Sequence, residues 1–181
     1  MGESRSIFEL DLFNLLFSLS GRSTMLDEVL VFLAEFLILG LVLVVASLIV
    51  YALSKGRPRQ AWILFVGLFA GALAWLASMW AKTFFQTVRP FADKTIIPLV
   101  ESQTNSTAFP SAHAAAVAAA GVVLYRFNKF IGLATIALAF IIGIARVAIG
   151  VHWPIDIAGG VVCGIVLGWI VRRLLCGRKE K

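Results

Sequence analysis

Five apolar stretches, each near the length of a membrane-crossing helix, alternate with short polar segments along this chain: residues 30–53, 61–81, 111–125, 130–149 and 157–175. A spanning helix needs about 20 mostly apolar residues. The third stretch approaches that length only by taking the polar segment 110–113 as its first turn. Residues 7–19 are apolar as well but carry Glu9 and Asp11. They read as a helix lying in the membrane interface, with a short sixth membrane segment as the alternative. The expected fold is all-α: an integral membrane helical bundle of five transmembrane helices plus this N-terminal interfacial (or short sixth) helix. It is expected to form one membrane-embedded domain over residues 1–181, with 1–24 as the N-terminal segment and 176–181 as a basic cytoplasmic tail.

Composition agrees with this pattern. Of the 181 residues, 60% are hydrophobic and 14% charged, against about 25% charged in a soluble domain. The formal charge of +6 could suggest nucleic acid, but the placement of the basic residues argues for a membrane and no nucleic-acid partner. Lys55, Arg57 and Arg59 follow the first stretch, Arg126 and Lys129 follow the third, and Arg172, Arg173, Arg178, Lys179 and Lys181 follow the fifth. These ten share one side. The opposite side has Arg5, Arg22, Lys82, Arg89, Lys94 and Arg146. The ten-residue side is expected to be cytoplasmic, which puts the C-terminus inside a multi-pass protein of the cell (plasma or inner) membrane. Trp80 and Trp153 then fall near the outer boundary and Trp62 and Trp169 near the inner one.

Other features add less. Cys163 and Cys176 form no disulfide or zinc pattern. The first twenty residues lack the basic-then-apolar order of a signal peptide. Asn105-Ser106-Thr107 matches a short glycosylation sequon that recurs by chance. Gly67 and Gly71, and Gly160, Gly164 and Gly168, are spaced by four. That spacing suits close helix contact in lipid, although chance in a chain of 15 glycines produces it as readily. Glu35 lies in the outer part of the first stretch and either faces a cleft or reaches toward the surface.

Three polar islands hold the candidate chemistry, and the expected orientation puts all of them on the outer face. Ionisable groups near a bilayer are costly and by default mark function. In the first island, Lys82 and Arg89 are seven apart, about two helical turns, so they are expected to share a helix face and clamp a phosphate, Arg89 through its fork and Lys82 as a point charge. Interfacial snorkelling explains the pair equally well. Pro90 marks the end of that helix. In the second island, Pro110 suits the first position of a helix, with Ser111 and His113 in the first turn beside N–H groups open to an anion. A polar helix start accounts for them when taken alone. In the third, Gly150 ends a helix after Arg146 and Pro154 starts the next, so His152 falls just before that helix and Asp156 in its first turn. A carboxylate there can fix an imidazole's tautomer, or simply complement the helix dipole.

The islands, in this order and at this spacing, resemble the signature of the type 2 phosphatidic acid phosphatase superfamily: KxxxxxxRP, PSGH, SRxxxxxHxxxD. The match runs from Lys82 to Asp156. The short length, the RPF closing the first island and the VHWPIDI run look most like the bacterial undecaprenyl-diphosphatases of that superfamily. Two positions depart: Ala112 stands where the family usually has Gly, and Ala145 where it usually has Ser. The resemblance implies that His152 attacks phosphorus to form a phosphohistidine and that Asp156 orients it. It implies that Lys82, Arg89, Ser111 and Arg146 hold the phosphoryl oxygens, and that His113 protonates the leaving oxygen and then activates water. It implies no cofactor and no metal, since fixed cations supply the charge, and a lipid phosphate or diphosphate as substrate within membrane lipid. The expected reaction is hydrolysis of a polyprenyl diphosphate to the monophosphate on the outer face, with Lys94 a candidate for the second phosphate or else a solvated loop charge. The alternatives are phosphatidylglycerol phosphate or phosphatidate as substrate, or a non-catalytic binder or transporter of anionic lipid. The related vanadate haloperoxidases are soluble, unlike a chain of this hydropathy.

Overall fold

The computed structural model of the protein describes residues 5–92, 96–100 and 107–177. Among these there are six α-helices: α1 Ile7–Phe17, α2 Thr24–Ser54, α3 Pro58–Phe85, α4 Ala112–Phe127, α5 Lys129–Ala148 and α6 Pro154–Leu175. Helices α2, α3, α5 and α6 are long and apolar enough to cross a membrane, and α4 is a shorter apolar helix. The chain is a multi-pass membrane protein.

Local chemistry sets the ends of these helices. Ser6 caps α1 by accepting from the Glu9 N–H at 3.2 Å, and Ser23 caps α2 through the Leu26 N–H at 3.3 Å. Pro58 and Pro154 each occupy the first turn of their helix, where a missing N–H costs nothing. Asn128 ends α4 and its side chain caps α5 through the Ile131 N–H. Helix α2 starts six residues before the expected boundary at residue 30 because Ser23 supplies the cap. It also carries a π-helical turn at Phe32–Phe36 that hydropathy could not reveal.

Helix α4 is the axis of the bundle. It packs against α3, α5 and α6, and every residue from Ala114 to Leu124 is buried. Seven alanines and one glycine between Ala112 and Gly121 make this possible, since small side chains let three neighbours approach at once. The α6 glycines meet it backbone to backbone. A Cβ added at Gly160 would stand 2.5 Å from the Ser111 carbonyl oxygen, and one at Gly168 would stand 2.6 Å from that of Ala119. One at Gly164 would overlap the Ala115 carbonyl. On the α3 side Gly71 approaches less closely, with an added Cβ 3.1 Å from the Ala116 carbonyl oxygen. Both glycine spacings are therefore packing seams. Large side chains such as Leu43, Phe65, Leu76, Phe140 and Trp169 point outward and are exposed, as expected of a surface solvated by lipid tails.

Helix α1 has 11 residues, about 16 Å of rise, roughly half the hydrocarbon thickness. That excludes the short sixth membrane segment as a full span. Phe13 is buried against Trp153, with ring centroids 4.7 Å apart, while Ile7, Phe8 and Leu15 are exposed.

Replacing Gly164 by Ala should lower the thermal unfolding midpoint of the detergent-solubilised protein, because the methyl meets the Ala115 backbone; overpacking of this kind costs about 1–3 kcal/mol. Gly40→Ala is the control: nothing lies within 4 Å of an added Cβ there, so its midpoint should stay or rise.

Candidate functional site

The third island is built as its residues dictate. Helix α5 ends at Ala148, and Gly150 takes φ +82°, a backbone setting that suits glycine. The Val151 N–H bonds back to the Arg146 carbonyl at 3.2 Å. Asp156, in the first turn of α6, accepts at Oδ2 from the Trp153 N–H at 2.8 Å and from His152 Nδ1 at 3.1 Å. His152 is 1% exposed and Asp156 0%. With its proton on Nδ1 facing the carboxylate, the imidazole keeps its lone pair on Nε2. Burial, reinforced by the positive charges of Arg146, Arg89 and Lys82, holds the His152 pKa well below the ordinary value, so the ring is neutral.

The second island lies directly against the third. The Ser111 N–H donates to the Asp156 backbone carbonyl at 3.0 Å. This bond holds Ser111 in an extended conformation as the N-cap, and α4 begins at Ala112. Pro110 is therefore not the first helical residue, as its helix-starting preference suggested; it precedes the cap. Ser111 Oγ is buried with no hydrogen-bond partner among the described residues. His113 is the second residue of α4. Its Nε2 lies 3.4 Å from Arg146 Nη1, and its ring packs edge-on to Trp75 with centroids 4.5 Å apart.

The first island corrects the expected shared helix face. Helix α3 ends at Phe85, and Gln86 follows with φ +45°. Lys82 stays in the last turn, 7% exposed, but Arg89 has left the helix. It reaches the site from a short antiparallel bridge between Val88 and Thr107. Thr87 secures that bridge: its carbonyl accepts from the Ala108 N–H and its hydroxyl from the Phe109 N–H, both at 2.8 Å. Arg89 then donates through Nε to the Thr107 carbonyl at 3.2 Å and through Nη1 to the Val151 carbonyl at 3.3 Å. Lys82 lies within electrostatic reach of Arg89, Arg146 and Asp156. The cations, Ser111, both histidines and Asp156 thus converge at one end of the bundle.

Several neighbours were not legible in the sequence. Glu35 bonds to Arg146 through Oε1 at 2.9 Å, so of its two expected settings it takes the one facing the site. Trp153 is 9% exposed, donates from Nε1 to the Val88 carbonyl at 2.9 Å, and lies under Phe13 and the Arg5 guanidinium. Trp62 and Trp169 are half exposed and Trp80 more so. Ala112 and Ala145 are both buried, and Ala145 packs in an apolar cluster with Leu30, Ala34, Ala148 and Ile149. Lys94, and Asn105 and Ser106 of the glycosylation sequon, lie outside the described residues.

A helical bundle that gathers three cations, two imidazoles and a carboxylate at one end has the make-up of a membrane phosphatase. A family model for the PAP2 superfamily matches residues 60–179, and the chain belongs to that superfamily of phosphatases. It is 29% identical over 164 residues to the bacitracin transport permease protein BcrC of Bacillus licheniformis, covering 90% of this chain and 78% of that protein. It is 23% identical over 163 residues to the undecaprenyl-diphosphatase BcrC of Bacillus subtilis, covering 90% and 82%. Among solved structures, Aquifex aeolicus LpxE superposes with a TM-score of 0.69 at 26% identity, covering 94% of this chain and 98% of that one.

Proposed function

We propose that this phosphatase hydrolyses a polyprenyl diphosphate to the monophosphate and inorganic phosphate on the extracytoplasmic face of the membrane. The observation that carries the reading is the buried His152–Asp156 pair beside three cations. A site that only bound or carried an anionic lipid would need the cations but no oriented nucleophile, which weighs against the transport reading that one relative's name invites.

His152 Nε2 attacks the terminal phosphorus while the bond to the bridging oxygen breaks. Asp156 holds the proton on Nδ1 and stabilises the positive charge that develops on the ring. Lys82, Arg89 and Arg146, with the Ser111 hydroxyl, face the three equatorial oxygens and stabilise the charge of the transition state. Arg146 Nη1 is a donor, so the His113 nitrogen facing it carries a lone pair. The negative charge of a bound phosphoryl group favours protonation of that ring, which then gives its proton to the leaving oxygen. In the second step the same lone pair takes a proton from water as the water oxygen attacks the phosphohistidine, releasing phosphate and restoring neutral His152. In this reading fixed side-chain charge replaces a metal ion.

Two further features support a lipid diphosphate. An apolar cavity of about 320 Å³ lies beside the site between α2, α3 and α4, lined by Ile38, Leu41, Gly71, Ala72, Trp75 and Ala120. Trp75 links it to His113. The first isoprene units can lie there while the rest of the chain stays in the bilayer. A diphosphate also brings more charge than a monoester to a site with three cations. The positive-inside bias supports the outward orientation.

Phosphate release in detergent from undecaprenyl diphosphate, phosphatidylglycerol phosphate and phosphatidate tests the substrate. The diphosphate should have the highest kcat/KM, and a higher value for either glycerolipid would remove the diphosphatase assignment. Activity should survive EDTA; loss restored by magnesium would overturn the metal-free mechanism.

The two histidines should separate kinetically. His152→Ala should abolish turnover and phosphoenzyme labelling. His113→Ala should slow turnover by about 10²–10⁴-fold and accumulate labelled phosphoenzyme, because a phosphate leaving group needs less help in the first step than water needs in the second. Equal loss of label in both would show the roles to be misassigned.

For sidedness, Arg57→Cys and Ile97→Cys in a background lacking Cys163 and Cys176 put exposed thiols on the loops that the basic residues assign to the inside and the outside. An impermeant reagent on intact cells should label position 97 and spare position 57.

A further inference from the structure

A second carboxylate stands beside the phosphate-binding cations, and the mechanism above makes no use of it. Glu35 lies in the π-helical turn Phe32–Phe36 of α2, outside residues 60–179 that match the family. π-helical turns are uncommon and occur often at functional sites. Here the widened turn sets two consecutive acceptors on one guanidinium nitrogen: Arg146 Nη1 donates to the Ala34 carbonyl at 3.0 Å and to Glu35 Oε1 at 2.9 Å. Arg146 is 6% exposed, whereas the Glu35 side chain is about one-third exposed. The two short bonds of Nη1 therefore both go to α2, while its contact with His113 Nε2 is longer, at 3.4 Å. Arg146 Nε is buried and has no partner among the described residues. The Nε–Nη2 edge of a guanidinium is one of its two-pronged faces for an anion, and anchoring Nη1 turns that edge away from α2.

A negative charge at this place also opposes the site's own ligand. It offsets one of the three cations that a phosphoryl group meets. Binding energy that holds substrate, product and transition state equally does not speed the chemical step, so a carboxylate that weakens ground-state and product binding while aiming Arg146 serves turnover.

We propose that Glu35 is a positioning residue for Arg146: it fixes the guanidinium edge that meets the phosphoryl group and, by its charge, limits how tightly the site holds inorganic phosphate. The inference rests on the phosphoryl-transfer reading of the site, but its test includes binding measured without turnover.

Glu35→Gln keeps an oxygen that can accept from Nη1 and removes the charge. Glu35→Ala removes both. Orthophosphate and vanadate binding would be titrated calorimetrically on detergent-solubilised wild type and both variants, with thermal midpoints recorded, and kcat and KM measured on a diphosphate substrate. Glu35→Gln should bind orthophosphate about tenfold tighter, with KM lowered and kcat not raised. Glu35→Ala should lose about tenfold or more in kcat/KM and in vanadate affinity together, and Glu35→Gln should recover most of that loss. The proposal is overturned if orthophosphate binds equally to wild type and Glu35→Gln, or if Glu35→Ala keeps wild-type vanadate affinity. A stability defect alone would lower the midpoint without tightening phosphate binding in Glu35→Gln, and would equally sink it. Absence of turnover on any lipid phosphate, with the binding differences intact, would count against the substrate reading while leaving Glu35 in its assigned place.

Discussion

The close approach of α6 to α4 is the contact on which the site depends. Because Gly160, Gly164 and Gly168 carry no side chain, the α6 backbone lies on the Ser111, Ala115 and Ala119 carbonyls. At the end of that seam the Ser111 N–H reaches the Asp156 carbonyl at 3.0 Å. One bond between backbones therefore sets the distance between the second and third polar islands. A bulkier residue anywhere along the seam would move His113 relative to His152 before it touched either. Rigidity of this kind is what a site needs when its charges must be in place before the reaction starts.

The surrounding hydrogen bonds extend the same logic to the first island. Its chain leaves α3 at Gln86 and turns into a bridge held by Thr87, Val88 and Thr107. Trp153 Nε1 then ties Val88 to the start of α6, and Arg5 and Phe13 cover the indole. The N-terminal segment thus covers the indole of the residue that follows His152, and Asp156, three residues further on, is fully buried.

Much of this was legible in the sequence, for physical reasons. Hydropathy locates the membrane helices because lipid imposes length and apolarity together. The chemistry of the third island is readable because Gly150, Pro154 and Asp156 each have strong positional preferences that place His152 between two helices. The glycine spacings point to seams but do not say which partner they meet. The misreadings have a common origin in tertiary bonds. A seven-residue interval suggested that Lys82 and Arg89 share a helix, yet the bridge to Thr107 takes Arg89 off it. A proline suggested a helix start, yet the bond from Ser111 to Asp156 moves the start to Ala112. Glu35 could be placed near the outer surface, but nothing local announces a π turn or the guanidinium it meets.

Arg89 and Lys82 are both cations, yet they are not interchangeable parts. Arg89 donates to carbonyls from two different segments, Thr107 and Val151, so it acts as a staple between islands as well as a charge. An ammonium group has no rigid fork with which to hold two carbonyls and still present a donor elsewhere. Lys82 ends a helix as a single buried charge. Drift between the two basic residue types should therefore be lopsided in this architecture: a lysine at position 89 would unfasten the loop that carries it, whereas position 82 imposes a demand for charge and reach alone.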